Sequence, residues 1–132
     1  MSNIVQNRLV MSGPDMNNIK EVINNLEQHG MSYWIPRPAY LSNSFYSENA
    51  QRPAWYTWSL EHWGCKWDIS YAEVIDLVDE EKEKYGIIHF NSANSSIVPF
   101  VHFLKGLFPE YSFDLEYIDI DDDPEQMYYY KA

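Results

Sequence analysis

The spacing of apolar residues changes several times along the chain, and each change marks an element. Val5, Leu9 and Met11 fall at alternating positions with Val10 opposite, the period-two pattern of a strand over residues 3–11 covered on one face. Ser12-Gly13-Pro14-Asp15 supplies a turn and a helix start, after which Met16, Ile19, Ile23 and Leu26 recur at spacings of three and four. Gly30 closes that helix. Its other side is rich in Asn, a weak helix former, so packing of the apolar stripe has to do most of the stabilising.

Pro36 and Pro38 exclude helix and disfavour a central strand, so residues 36–54 are expected to form a long loop that is either functional or pinned by Tyr40, Phe45 and Tyr46. Trp55, Trp58 and His62 lie on related turns of a short helix over 55–63, stopped by Gly64. Lys66 to Val78 reads as extended, Asp79 to Lys84 as a charged connector, and Tyr85 to Asn91 as the returning strand of a hairpin. Ile97, Phe100, Val101, Leu104 and Phe108 give a further helix a broad buried face, with Ser95 or Ser96 as its cap, Pro99 in its first turn and Pro109 as its stop. The last long strand is Tyr111 to Ile120, with Phe113, Leu115 and Tyr117 on one side and Asp114 and Glu116 on the other.

This order predicts an α+β fold, a ferredoxin-like βαββαβ two-layer sandwich whose helices cover one face of an antiparallel sheet and leave the other open. At 132 residues the chain is long enough for one such domain, 1–132, and cramped for two. Within it, 36–64 is an aromatic-rich insertion between the first helix and the second strand, and 119–132 is an acidic, Tyr-rich closing segment. Met127 to Tyr130 either adds a strand or packs on a neighbour.

Four of the five tryptophans fall between Trp55 and Asp68, around Gly64 and the single Cys65. Each indole buries a large apolar area while needing a partner for its N–H, so the cluster is expected to be a structural hub built on Trp58, Trp63, Gly64, Lys66, Trp67 and Asp68. If Trp67 points inward along a strand, Lys66 and Asp68 face the other way and either fix the hub through a local hydrogen bond or ion pair or serve recognition.

Trp63-Gly64-Cys65-Lys66-Trp67-Asp68 resembles the W-G-T-K-W-D signature of the YubB-type ferredoxin-like domain found in small proteins of plasmids and phages. Asn7, Leu9 and Gly13 resemble that family's first strand, Pro36 and Pro38 its I-x-P-x-P segment, and Phe108-Pro109 with Leu115 and Tyr117 its F-P-x-x-x-x-x-L-x-Y close. The resemblance spans nearly the whole chain and implies the fold and a mobile-element context. Two positions depart from it: Cys65 stands where Thr is usual, and Ser92-Ala93-Asn94-Ser95-Ser96 where the family has T-A-W-S-P.

The formal net charge is −11, the wrong sign for direct binding to a nucleic-acid backbone. Residues 1–66 carry five acids and five bases, so 67–132, with fifteen acids and four bases, hold the whole net charge. Glu73, Asp76, Asp79, Glu80, Glu81 and Glu83 form one run, and Asp114, Glu116, Asp119, Asp121, Asp122, Asp123 and Glu125 another. Alternate residues on a strand lie about 6.6 Å apart, so Asp114 and Glu116 form a row on the scale of a phosphodiester backbone. The partner-binding surface is therefore expected to be an acidic face of Glu73, Asp76, Glu80, Glu81, Asp114, Glu116, Asp119, Asp121, Asp122 and Asp123. A host protein with a basic, nucleic-acid-binding surface is its expected partner.

Catalytic and metal signatures are weak. Asp119-x-Asp121-x-Asp123 opens like a calcium loop, but Pro124 stands where Gly is needed and Tyr130 where the bidentate Glu belongs. His62-x-x-Cys65 is two ligands short of a tetrahedral zinc site, and as a nucleophile pair it lacks an evident oxyanion hole. No cofactor and no catalytic residue are expected. A lone Cys and the absence of any apolar run of about 20 residues fit a cytoplasmic protein of the host bacterium with no membrane span. The expected role is thus a small, acidic, non-enzymatic phage or mobile-element protein, an anti-defence inhibitor of CRISPR or restriction machinery. The other reading is a small-ligand binder or enzyme using the 55–68 hub as a pocket. Homo-oligomerisation through the open sheet face is compatible with either.

Overall fold

The computed structural model describes residues 3–43 and 53–132. Strand β1 (Ile4–Ser12) buries Val5, Asn7, Leu9 and Met11 and turns the intervening side chains outward, as its alternation requires. Helix α1 (Met16–His29) starts at Asp15, whose carboxylate accepts the Asn17 N–H at 2.8 Å, and buries Met16, Ile19, Val22, Ile23 and Leu26. Gly30 ends it at φ 72°, its N–H bonded to the Leu26 carbonyl.

A 3-10 turn over Met31–Tyr33 follows, then a second over Ala39–Asn43 inside the stretch expected to be irregular. Phe45 and Tyr46 lie outside the described residues. Helix α2 (Ala54–His62) occupies the expected place. Strand β2 runs Ser70–Asp79, four residues later than the extended reading from Lys66. The chain from Lys66 to Ile69 leaves the sheet because its polar groups are engaged elsewhere: the Lys66 N–H bonds to the Ala93 carbonyl, and Asp68 binds the turn after α1.

A tight turn joins β2 to β3 (Lys84–Ala93), and helix α3 (Val98–Leu107) follows with Pro99 in its first turn. Neither serine caps α3. Ser96 Oγ donates to Asn7 Oδ1 at 2.6 Å, and Ser95 Oγ donates to the Gly64 carbonyl, so both hydroxyls tie the loop before the helix to other elements. Strand β4 (Ser112–Asp119) and the short β5 (Tyr128–Lys131) complete the chain, the latter settling Tyr128 to Tyr130 as an added strand.

The result is an α+β fold with a five-stranded antiparallel sheet in the order β2-β3-β1-β4-β5. One core lies between the sheet and its helices, and Leu9, Ile19, Ile23, Leu26, Ile88, Phe90, Phe100, Leu104, Phe113 and Leu115 are buried in it. The outward residues of β1, β3 and β4, among them Gln6, Arg8, His89, Asn91, Asp114 and Glu116, form a face that none of these helices covers. No helix among the described residues is long and apolar enough to cross a membrane.

Candidate functional site

The tryptophan hub is built by its own neighbours. Trp63 is 2% exposed and donates its indole N–H to the Ile35 carbonyl at 2.9 Å, while Trp58 meets it edge-on at 5.1 Å. The Arg37 guanidinium lies 5.0 Å from the Trp55 ring and 5.2 Å from the Trp63 ring, and donates to the buried Ser59 hydroxyl at 3.0 Å. Gly64, at φ 95°, brings the backbone so close to α3 that an added Cβ would sit 2.4 Å from Pro99 Cδ and 2.6 Å from the Ser96 carbonyl oxygen.

Asp68 is the fixed point of the signature. Its carboxylate accepts the N–H groups of Met31 at 2.9 Å, Ser32 at 3.1 Å and Ile69 at 2.8 Å, and the Ser32 hydroxyl at 2.5 Å. It therefore locks the end of α1 to the start of β2. The expectation for Trp67 is corrected: at 45% exposure it points outward, because buried Cys65 and not Trp67 fills the interior position. Lys66 lies over the Trp67 ring at 4.8 Å and near the Tyr56 ring at 5.7 Å, so aromatic faces are among its contacts.

Cys65 and His62 do not form a reactive pair. Burial, reinforced by the Asp68 charge, pushes the Cys65 thiol up to about 12, and its Sγ donates to the Trp67 carbonyl. His62 is exposed, stacked on Trp58 at 4.5 Å and bonded through Nδ1 to the Trp58 carbonyl. Among the described residues no three His, Cys, Asp or Glu side chains are grouped to hold a metal ion.

The acidic residues divide into three places. Glu80, Glu81 and Glu83 sit in the β2–β3 turn, beside Ser12 and Gly13 at one end of β1. Asp121, Asp122, Asp123 and Glu125 sit in the β4–β5 loop, where Asp119 accepts the N–H groups of Asp121 and Asp122, and Asp121 accepts that of Ile4 at 2.6 Å. These turns are at opposite ends of the sheet, separated along β1 by about 27 Å, so the two sequence runs do not merge into one patch. Between them the open face carries Glu73 and Asp76 on β2 and Asp114 and Glu116 on β4, two rows about 14 Å apart across three strand spacings.

The expected Asp114–Glu116 row is partly countered by cations the sequence reading did not place. Glu116 faces Arg8 at 3.8 Å and Asp114 faces Lys131 at 3.8 Å, both too long for a hydrogen bond. Even so, the open face and the two turns together hold eleven acids and three bases (Arg8, Lys82 and Lys131), eight of the eleven net negative charges. No family model, curated protein or solved structure matches the chain.

Sequence reasoning gave no role to Gln6, Arg8, His89 and Asn91, which line a concavity at the centre of the open face with Glu116, Ile118 and Met127. The available signal was in β1 itself, where Gln6 and Arg8 alternate with the buried set. Asn7 was noted only as part of a resemblance. It is 4% exposed and its amide donates to the Val5 and Phe90 carbonyls and to Ser92 Oγ, fixing the loop before α3.

Proposed function

We propose that this chain is a small non-enzymatic binding protein that sets its acidic sheet side against a basic, nucleic-acid-binding surface of a host protein. The observation that carries the reading is the concentration of charge on the open face and its two end turns, which hold eight of the eleven net negative charges. A field of that sign speeds encounter with a basic partner and repels nucleic acid itself. Because Arg8 and Lys131 counter Glu116 and Asp114, the two end turns and the β2 row of Glu73 and Asp76 carry most of the attraction.

The same proposal places the chain in the YubB-type ferredoxin-like family of mobile elements, and so in a host cytoplasm as an inhibitor of restriction or CRISPR machinery. The order β2-β3-β1-β4, the two helices α1 and α3 packed on one face, and the structural roles found for Gly64 and Asp68 support that placement. In it β5 is an addition beyond the last expected strand, and the 36–64 stretch with α2 is an insertion.

The test is competition with duplex DNA for a panel of restriction and CRISPR nucleases. Three variants separate the regions: E80Q/E81Q/E83Q, D121N/D122N/D123N and E73Q/D76N. Competition should fall with each end-turn variant and vanish near 0.5 M salt, where the Debye length is about 4 Å. Competition that survives all three variants would overturn the proposal.

A further inference from the structure

We propose that the concavity at the centre of the open sheet face binds a guanine base, carried by a free nucleoside. Its volume is about 310 Å3, the lower end of what small-molecule sites need. The register places Arg8 between His89 and Glu116 in one row, with Gln6 between Asn91 and Ile118 in the next. Arg8 Nη1 and Glu116 Oε2 stand 3.8 Å apart, so guanidinium donors and carboxylate acceptors lie side by side without bonding each other. Among the described residues, the side chains of Gln6, His89 and Asn91 also have no hydrogen-bond partner.

The complementary edge must offer acceptors beside donors in one plane. Guanine does so, with O6 and N7 for Arg8 and two adjacent donors, N1–H and N2–H, for both oxygens of Glu116. Adenine, uracil and cytosine each bring a single donor position to that carboxylate. Ile118 and the 51% exposed Met127 offer apolar contact to the ring, the Met sulfur being suited to a flat π-face. The neutral base matches a paired plus-and-minus site, whereas the surrounding negative field opposes a phosphate, which selects the nucleoside over a nucleotide or a strand. The inference does not depend on the partner reading, because it uses a neutral ligand and the centre of the face, not its ends.

Amide NMR titration of the full chain with guanosine, inosine, adenosine, guanosine monophosphate and a short guanine-containing single strand tests it. Guanosine at about 1 mM should shift the side-chain amides of Gln6 and Asn91, with inosine, which lacks the 2-amino group, about tenfold weaker. Adenosine should be at least as weak, and the phosphorylated ligands weaker than guanosine at low salt. E116Q and R8Q should each cost about tenfold in guanosine affinity while keeping the dispersed spectrum of a folded chain, and E21Q, on the exposed side of α1, should leave that affinity unchanged. Absence of shifts, equal affinity for adenosine, or binding indifferent to E116Q overturns the site. Tighter binding of the oligonucleotide than of guanosine overturns the nucleoside as its source.

Discussion

Asp68→Asn isolates what the charge of one carboxylate does for the fold. The native group accepts four hydrogen bonds, three from backbone N–H groups and one from Ser32 Oγ, across 36 or 37 residues of sequence for all but the Ile69 bond. Asparagine keeps one acceptor oxygen but sets an NH2 group against N–H donors that cannot turn away. Hydrogen bonds to charged groups contribute about 1.5–3 kcal/mol each when buried, and Asp68 is only half-buried. Losing roughly half the set should therefore cost about 2 kcal/mol, which for a chain of this size lowers the melting temperature by roughly 8 °C. Thermal unfolding by circular dichroism measures it, and a double-mutant cycle with S32A should reveal coupling, because Ser32 contributes both an N–H and a hydroxyl to the same carboxylate. A shift below about 1 °C, or strict additivity with S32A, would refute the view that Asp68 fastens α1 to β2.

Gly64→Ala should destabilise by roughly 2–4 kcal/mol in a urea titration, since it adds left-handed strain and a contact with Pro99 and the Ser96 carbonyl that neither can relieve. Asn7→Ala should cost about 2–3 kcal/mol in the same assay by leaving the buried Ser96 hydroxyl without its acceptor and taking a donor from Ser92 Oγ. The Cys65 thiol should resist a disulfide reagent at pH 8 until the chain is unfolded, because the fold keeps it neutral and buried. Since the fold raises the thiol from 9.0 to about 12, the folded chain holds the extra proton in that window, and stability should fall as pH rises through it; a flat profile in the wild type, matched by C65A, would contradict this.

What the sequence revealed depended on how far apart the interacting residues are. Val5, Leu9 and Met11, the α1 stripe and the α3 face were legible because their signal is a period within a few residues. The role of Asp68 was not, because its partners sit before the long loop, and an alternation rule cannot tell that residues 66–69 leave the sheet. That same error turned Trp67 inward on paper. The acidity was legible as composition, but its placement needed the register: only the antiparallel pairing shows that Glu80 and Asp122 lie at opposite ends of the sheet and that Arg8 stands beside Glu116.

Polar groups on the two sides of this fold answer to different constraints, and that difference yields a last prediction. On the helix side Asp68, Asn7, Ser59, Ser95 and Ser96 are bonded internally, as burial demands, and removing one leaves its partners unsatisfied. On the sheet side Gln6, His89 and Asn91 make no side-chain hydrogen bond among the described residues, and the two face ion pairs are long, so folding gains little from them. Like charges crowded there should instead oppose folding. The variant E73Q/D76N/E80Q/E81Q, neutral at four positions of the β2 edge and turn, is therefore expected to raise the urea midpoint at low ionic strength and to match the wild type near 0.5 M salt, where the repulsion is screened to about 4 Å. A lower midpoint at low salt would mean that these carboxylates hold the hairpin together, and the case for reading them as a surface kept for a partner would fail with it.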